Sequence, residues 1–258
     1  MLTNIFIVLA LLVFSALVLS RIFTLHKNIW LLFMAQPLVM SASPVIVFIG
    51  GILSSEMVSD QSLATLPISL MILGVASASI PAAFIARNKG RKFATFTGFS
   101  CSLIAALIAI YAAQHAIFEL FALASLLFGM GTAFVQQLRF AAIESTEDVD
   151  DIPKVLSILM LSGLFAAFLG PEAAVAAKDW LSSPHGYAGS FLLLAFFIIT
   201  AMLIMLFFKN PKIKTTYNDG IARPLGDIVK QPIFIIAVAT AAIGYALMSY
   251  LMTATPLS

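Results

Sequence analysis

Charge is what this sequence has least of. Lysine, arginine, aspartate and glutamate make up 10% of the 258 residues, where a soluble domain carries about 25%. Fourteen basic and twelve acidic side chains cannot cover the surface of a water-soluble globule of this size, so the medium around most of it is lipid. A cytosolic enzyme and a disordered regulator are disfavoured. So is a nucleic-acid binder, because the net charge is only +2 and the basic residues are scattered through short loops. Cysteine is almost absent. The one thiol, Cys101, excludes an intramolecular disulfide and a multi-cysteine zinc site. The three histidines, His26, His115 and His185, fall in or beside loops with no ligand spacing, which leaves metal chemistry without support. No nucleophile and base stand together and no glycine-rich phosphate loop occurs. Gly129-x-Gly131 lies inside an apolar run and reads as helix packing. Nothing calls for a metal or a cofactor, and no enzyme is expected.

Hydrophobic residues, by contrast, make up 61% of the chain. A hydrocarbon core about 30 Å thick takes roughly 20 helical residues to cross. Eight apolar runs approach or exceed that length: Ile5 to Leu25, Ile29 to Leu53, Leu63 to Ala86, Phe93 to Ala113, Ala116 to Ala141, Val155 to Ala177, Tyr187 to Phe208 and Pro232 to Ala254. They are continuous rather than alternating, which favours helices over barrel strands, and a helix satisfies its own backbone in lipid. With the loop from Arg87 to Lys92 in the cytoplasm, 13 of the 14 basic residues fall on that side and only Lys178 lies outside. That is the asymmetry the positive-inside rule demands. The first run has no positive charge before it and carries Arg21 and Lys27 after it. This inverts a signal peptide's polarity, so the run reads as an extra membrane helix with its N-terminus outside. Translated upstream sequence from a misassigned start codon is the alternative.

Residues 1–28 thus form an extra helix and short loop, and residues 29–208 form a bundle of six spans. Residues 209–231 hold five basic residues, two prolines and Asn218-Asp219-Gly220, the composition of a cytoplasmic linker. Residues 232–258 hold one more span. Between the second and third core spans the chain reads Ala83-Phe84-Ile85-Ala86-Arg87-Asn88-Lys89-Gly90-Arg91-Lys92. The fifth core span contains Ser162-Gly163-Leu164-Phe165-Ala166-Ala167-Phe168-Leu169-Gly170-Pro171-Glu172. These features resemble the major facilitator superfamily, whose members join two six-helix halves by a cytoplasmic loop; the likeness runs from about Ile29 to the end. Gly90, Arg91 and Lys92 fit the superfamily's loop motif, while Ala83 and Arg87 replace its leading glycine and its aspartate. The charge relay of that loop is therefore not carried over. The glycine-studded fifth span ending in Gly-Pro is similar to the signature of proton-coupled antiporters. Phe134 to Ala142, and Gly244-Tyr245 with Met252 to Pro256, resemble bacterial general permeases. The resemblance implies an all-α membrane protein, a major-facilitator-type bundle with about eight transmembrane helices and an incomplete second half.

A transporter needs a polar site near mid-membrane, on helices whose irregularities expose backbone groups to a cavity. Gln36, Met40 and Ser43 share one face of the first core span at i, i+4 and i+7, and Pro37 and Pro44 interrupt its hydrogen bonds on either side of Ser41. Thr132, Gln136 and Arg139 share a face of the fourth core span, at a depth comparable with Gln36. Two readings of Arg139 stay open: a functional cation in the membrane, or a snorkelling side chain paired with Glu144 or Glu147. In the fifth core span Gly163, Ala166, Ala167 and Gly170 offer a small-residue face, and Pro171 permits a bend. Glu172, next to Pro171, is the candidate proton-coupling acid; pairing with Lys178 or simple solvation is the alternative. Tyr245, Ser249 and Met252 share a face of the last span, which in this superfamily lines the cavity. The candidate substrate contacts are therefore Gln36, Ser43, Gln136, Arg139 and Tyr245, with Pro37, Pro44, Gly170 and Pro171 as bending points.

The expected activity is movement of a small organic solute by alternating access, as proton-coupled antiport or efflux, in the cytoplasmic (inner) membrane of a bacterium. The expected partners are the solute, the lipid bilayer, protons, and a set of C-terminal helices from a full-length chain or a second polypeptide. The sequence stops at Ser258 where the resemblance leads one to expect five further spans, so the chain is expected not to transport alone. A non-transporting scaffold or regulator derived from a half-permease is the competing reading.

Overall fold

A computed structural model describes residues 2–211 and 225–254. All regular structure among the described residues is helical: α1 (Leu2–Ile22), α2 (Lys27–Met40), α3 (Ala42–Met57), α4 (Leu66–Lys89), α5 (Arg91–His115), α6 (Phe118–Gln136), α7 (Leu138–Glu144), α8 (Ile152–Ala176), α9 (Ala188–Leu206), α10 (Leu225–Val229) and α11 (Pro232–Ala254). The chain divides into two units, Met1–Lys212 and Ile213–Ser258. Seven helical segments of the first unit are long and apolar enough to cross a membrane. In the second, α11 coincides with the last apolar run of the sequence. Large side chains such as Phe6, Phe14, Ile80, Phe84, Phe168 and Phe196 face outward. In water such a surface would be costly, and in lipid it is the ordinary exterior of a multi-pass membrane protein.

Two expected spans are not single rods. The first core span is α2 followed by α3, separated at Ser41. Pro44 has no N–H to offer the carbonyl of Met40, and the Ser41 hydroxyl turns back to donate to the Leu38 carbonyl at 2.7 Å. The fourth core span is α6 followed by α7, with a break at Gln137, whose N–H reaches Phe134 O at 3.0 Å, three residues back instead of four. No proline or glycine stands at that break. Pro171, in contrast, lies inside a helix that runs unbroken through it.

α6 is the hub of the first unit, and small residues let its neighbours approach. A Cβ on Gly129 would strike the Met71 carbonyl of α4, and one on Gly131 would strike the Ser102 side chain of α5. The pair is therefore a packing device, as its position in an apolar run suggests. On the far side Phe121 of α6 meets Phe191 of α9 with ring centroids 5.7 Å apart. α1 lies against this bundle through Ile5, Leu12 and Ala16; the latter two join a cluster with Phe33 and Ile158, against which Phe165 packs.

Polar contacts gather the helix ends. Asn28, 2% exposed, donates to Ser145 Oγ at 3.0 Å and to the Lys209 carbonyl at 2.7 Å, and its own Oδ1 accepts the Lys209 N–H at 3.3 Å. One side chain thereby ties the start of α2 to the end of α7 and the exit of α9. At the same end the α4–α5 turn rests on α9 and the residues after it: Lys92 N–H donates to Asn210 Oδ1 at 2.8 Å and Lys92 Nζ to the Leu206 carbonyl at 2.6 Å. Gly90 makes that turn with φ +88°, in the left-handed region where a side chain is strained, and a Cβ there would also strike Asn210. At the opposite end, Glu56 Oε2 of α3 lies 3.5 Å from His185 Nδ1 in the α8–α9 loop, and Lys178 Nζ sits 4.6 Å from the centre of the Tyr187 ring.

Candidate functional site

One pocket lies between the end of α2 and the α6–α7 junction. Its volume is about 250 Å³, and its walls come from α2 (Gln36, Met40), from the α6–α7 junction (Gln136, Arg139, Phe140) and from α8 (Leu156, Leu159, Met160). A break exposes backbone polar groups that a continuous helix would use internally, and lipid tolerates this only where protein or a water-filled cavity receives them. Gln36 Nε2 donates to the Leu159 carbonyl at 3.3 Å, fixing the amide against α8. Gln136 and Arg139 are exposed on the pocket's rim. Arg139 makes no hydrogen bond or ion pair among the described residues, and Glu144 is committed elsewhere. Arg91 Nε and Nη2 grip its two carboxylate oxygens at 2.8 and 2.5 Å. Of the partners considered for Arg139, Glu144 thus pairs with Arg91 of the α4–α5 turn instead.

Ser43 lies deeper on α3. Its hydroxyl is 3.3 Å from Thr132 Oγ1. Thr132 already donates to the Phe128 carbonyl at 2.9 Å, so Ser43 is the donor of the pair. This contact joins α3 to α6 just beyond the pocket, with Ser41 and Pro44 on the α8 side. There Gly170 makes room: a Cβ on it would stand 2.5 Å from Pro44 Cβ and 3.1 Å from the Ser41 carbonyl. The small-residue face of α8 is narrower than its sequence suggests. Ala166 and Gly170 are buried, whereas Ala167 is exposed and a Cβ on Gly163 would meet nothing within 4 Å.

Glu172 is half-buried in the last two turns of α8. Its Oε1 accepts a hydrogen bond from Asn4 Nδ2 of α1 at 3.2 Å, while Lys178 turns to Tyr187 instead. Tyr245 belongs to the second unit, on α11, and is 46% exposed there. The side chains of Ser249 and Met252 lie outside the described residues, as do Thr255, Pro256 and the Asn218-Asp219-Gly220 turn of the linker. Sequence reasoning missed Asn4, Asn28 and the break at Gln137. An asparagine at the edge of an apolar run was the only signal for the first two. No group of three metal-ligating side chains occurs among the described residues.

Residues 29–257 match the family model of the Major Facilitator Superfamily. The chain belongs to this superfamily. It is 36% identical over 235 residues to the riboflavin transporter RfnT of Brucella anthropi, covering 90% of this chain and 58% of that protein. It is also 28% identical to the uncharacterized MFS-type transporter YdeG of Bacillus subtilis, over 64% of this chain and 39% of the relative. A third match, YddS of Bacillus subtilis, is 24% identical over 63% of this chain and 38% of the relative. The chain spans little more than half the length of the first relative and less of the others. Family and relatives alike point to a transporter rather than an enzyme. The superfamily assignment also accounts for the bundle of long apolar helices.

Proposed function

We propose that this chain supplies one wall of a facilitator that moves a small organic solute across a bacterial cytoplasmic membrane by alternating access, with its basic helix ends inward. The carrying observation is the pocket at the two helix breaks, where Gln36, Gln136 and an Arg139 without a carboxylate partner among the described residues stand beside Met40, Phe140 and Met160. Amides and a free guanidinium facing apolar walls suit a flat, heteroaromatic solute with hydrogen-bonding edges, because guanidinium both stacks on π systems and donates along an edge. Riboflavin has that chemistry and is the solute named for the relative at 36% identity.

At about 250 Å³ the pocket is smaller than the 300–1,000 Å³ of most small-molecule sites. We therefore read it as part of a larger site, and Tyr245 of α11 is a further proposed substrate contact. The domain plan follows: an extra helix in residues 1–28, a six-span bundle in 29–208, a cytoplasmic linker in 209–231 and the opening span of a second bundle in 232–258. Glu172 beside Pro171 is the proposed proton carrier, in the antiport sense suggested by the Gly-Pro ending of its span.

The test is riboflavin flux in proteoliposomes containing the chain, alone and together with a polypeptide carrying the five further helices of a related permease. Flux that needs the added helices and disappears in Arg139→Ala supports the reading. Stable association with a partner without riboflavin binding or flux in either preparation would favour a scaffold and overturn it.

A further inference from the structure

We infer that α1 is a control element for Glu172, with Asn4 as the positioning residue that holds the carboxylate. This rests on the reading of Glu172 as the proton carrier and adds a partner that the six-span bundle does not contain.

The contact is specific. α1 presents a stripe of Ile5, Leu12 and Ala16 to the bundle while Phe6, Ile7, Leu11, Phe14 and Leu17 face outward. Asn4 is one turn or less from the buried Ile5, and its amide meets the Glu172 carboxylate of α8. A lone carboxylate facing hydrocarbon is costly, and an amide that can donate to it or accept from its protonated form lowers that cost in both states. Other charges near this end of α8 are engaged or lie beyond it. Lys178 lies over Tyr187, Asp179 is in the outer loop, Glu56 at the end of α3 meets His185, and α9 has no charged residue within its span. The only charge in α1 is Arg21, five turns away at the opposite end.

The same stretch of α8 is pinned on its other side. Gly170, two residues before Glu172, rests against Pro44 and the Ser41 carbonyl at the α2–α3 break, and Ser43 of that break holds Thr132 of α6. The outer third of α8 is thus wedged between α1 and the irregular first core span. A change in how Asn4 holds Glu172 moves a segment that already touches the break, which gives the carboxylate's protonation state a mechanical route to the pocket.

The experiment measures modification of Glu172 by dicyclohexylcarbodiimide, a hydrophobic carboxyl reagent, in membranes holding the full chain, read by mass spectrometry across pH. Asn4→Ala is expected to change the modification rate about fivefold, the factor one net hydrogen bond is worth; Asn4→Gln restores it in part, and Leu12→Ala, which loosens α1 without touching the amide, changes it far less. A disulfide between Asn4→Cys and Glu172→Cys in otherwise intact membranes should form readily. Equal rates in the wild type and Asn4→Ala, or equal effects of Asn4→Ala and Leu12→Ala, would overturn the inference. Riboflavin flux is not needed for either readout, so absence of flux would count against the transport reading and leave this result standing.

Discussion

Gly170 of α8 sits directly against Pro44 of α3, so close that no side chain fits between them. The contact sets the distance between the fifth core span and the break in the first. A methyl group there must push either a proline ring or the Ser41 carbonyl aside, and neither is the flexible end of a side chain. Gly170→Ala should therefore cost about 1–3 kcal/mol, whereas Gly163→Ala, two turns away with open space around it, should be neutral or slightly stabilising. Thermal unfolding in detergent, run on both variants, compares them. Equal losses would mean that α8 does not pack on α3 through this face.

Asn28 is the buried knot at the opposite end, with donors to Ser145 and Lys209 and an acceptor for the Lys209 N–H. Replacing it by leucine keeps the volume but strands the Lys209 carbonyl and N–H, each worth about 1–3 kcal/mol if left unpaired, while the Ser145 hydroxyl keeps its bond to the Ala141 carbonyl. The expected result is faster hydrogen exchange confined to the α7–α8 turn and to residues 206–210, with exchange in α6 unchanged. Uniformly faster exchange would show that the knot supports the whole bundle instead of one end.

Arg91 and Glu144 make a two-pronged pair whose side chains are 17% and 29% exposed. Lysine cannot reproduce the fork. Arg91→Lys should lower the apparent melting temperature by the equivalent of about 1 kcal/mol, because the pair is only partly buried. Glu144→Gln should cost more, since it leaves a guanidinium without its partner. Exchanging the two residues should recover part of the loss. No recovery would indicate that the surrounding Phe140 ring, 5.8 Å from the Arg91 guanidinium carbon, selects the orientation.

The helical spans and the superfamily were legible because they depend on long stretches of composition, which no single residue can disguise. The break at Ser41 was legible too, since prolines at 37 and 44 announce it. The break at Gln137 was not, because Val135-Gln136-Gln137-Leu138 contains no helix breaker and the turn there is imposed by tertiary packing. Proximity along the chain makes Glu144 or Glu147 a candidate partner for Arg139, yet the fold brings Arg91 to Glu144 across 53 residues. Asn4 reaches Glu172 across 168. Pairings of that separation leave no trace in local spacing, and they are the ones that decide which polar side chains remain available to a solute.

Arg139 is the side chain left available, and its energetics separate a binding role from a structural one. A guanidinium at the edge of the hydrocarbon with no anion beside it among the described residues pays for its own desolvation, so Arg139→Met should leave the ligand-free protein as stable as before or more so. A residue that held the bundle together would do the reverse. If the chain binds riboflavin as proposed, the thermal stabilisation expected from that binding should vanish in the same variant, because the ligand's contribution follows its affinity for the folded state. Gln36→Ala should behave differently, losing the hydrogen bond to the Leu159 carbonyl and with it both some stability and some riboflavin response. Thermal shifts with and without riboflavin on the three proteins measure all of this. A loss of ligand-free stability in Arg139→Met with the riboflavin response intact would move Arg139 out of the site and into the scaffold.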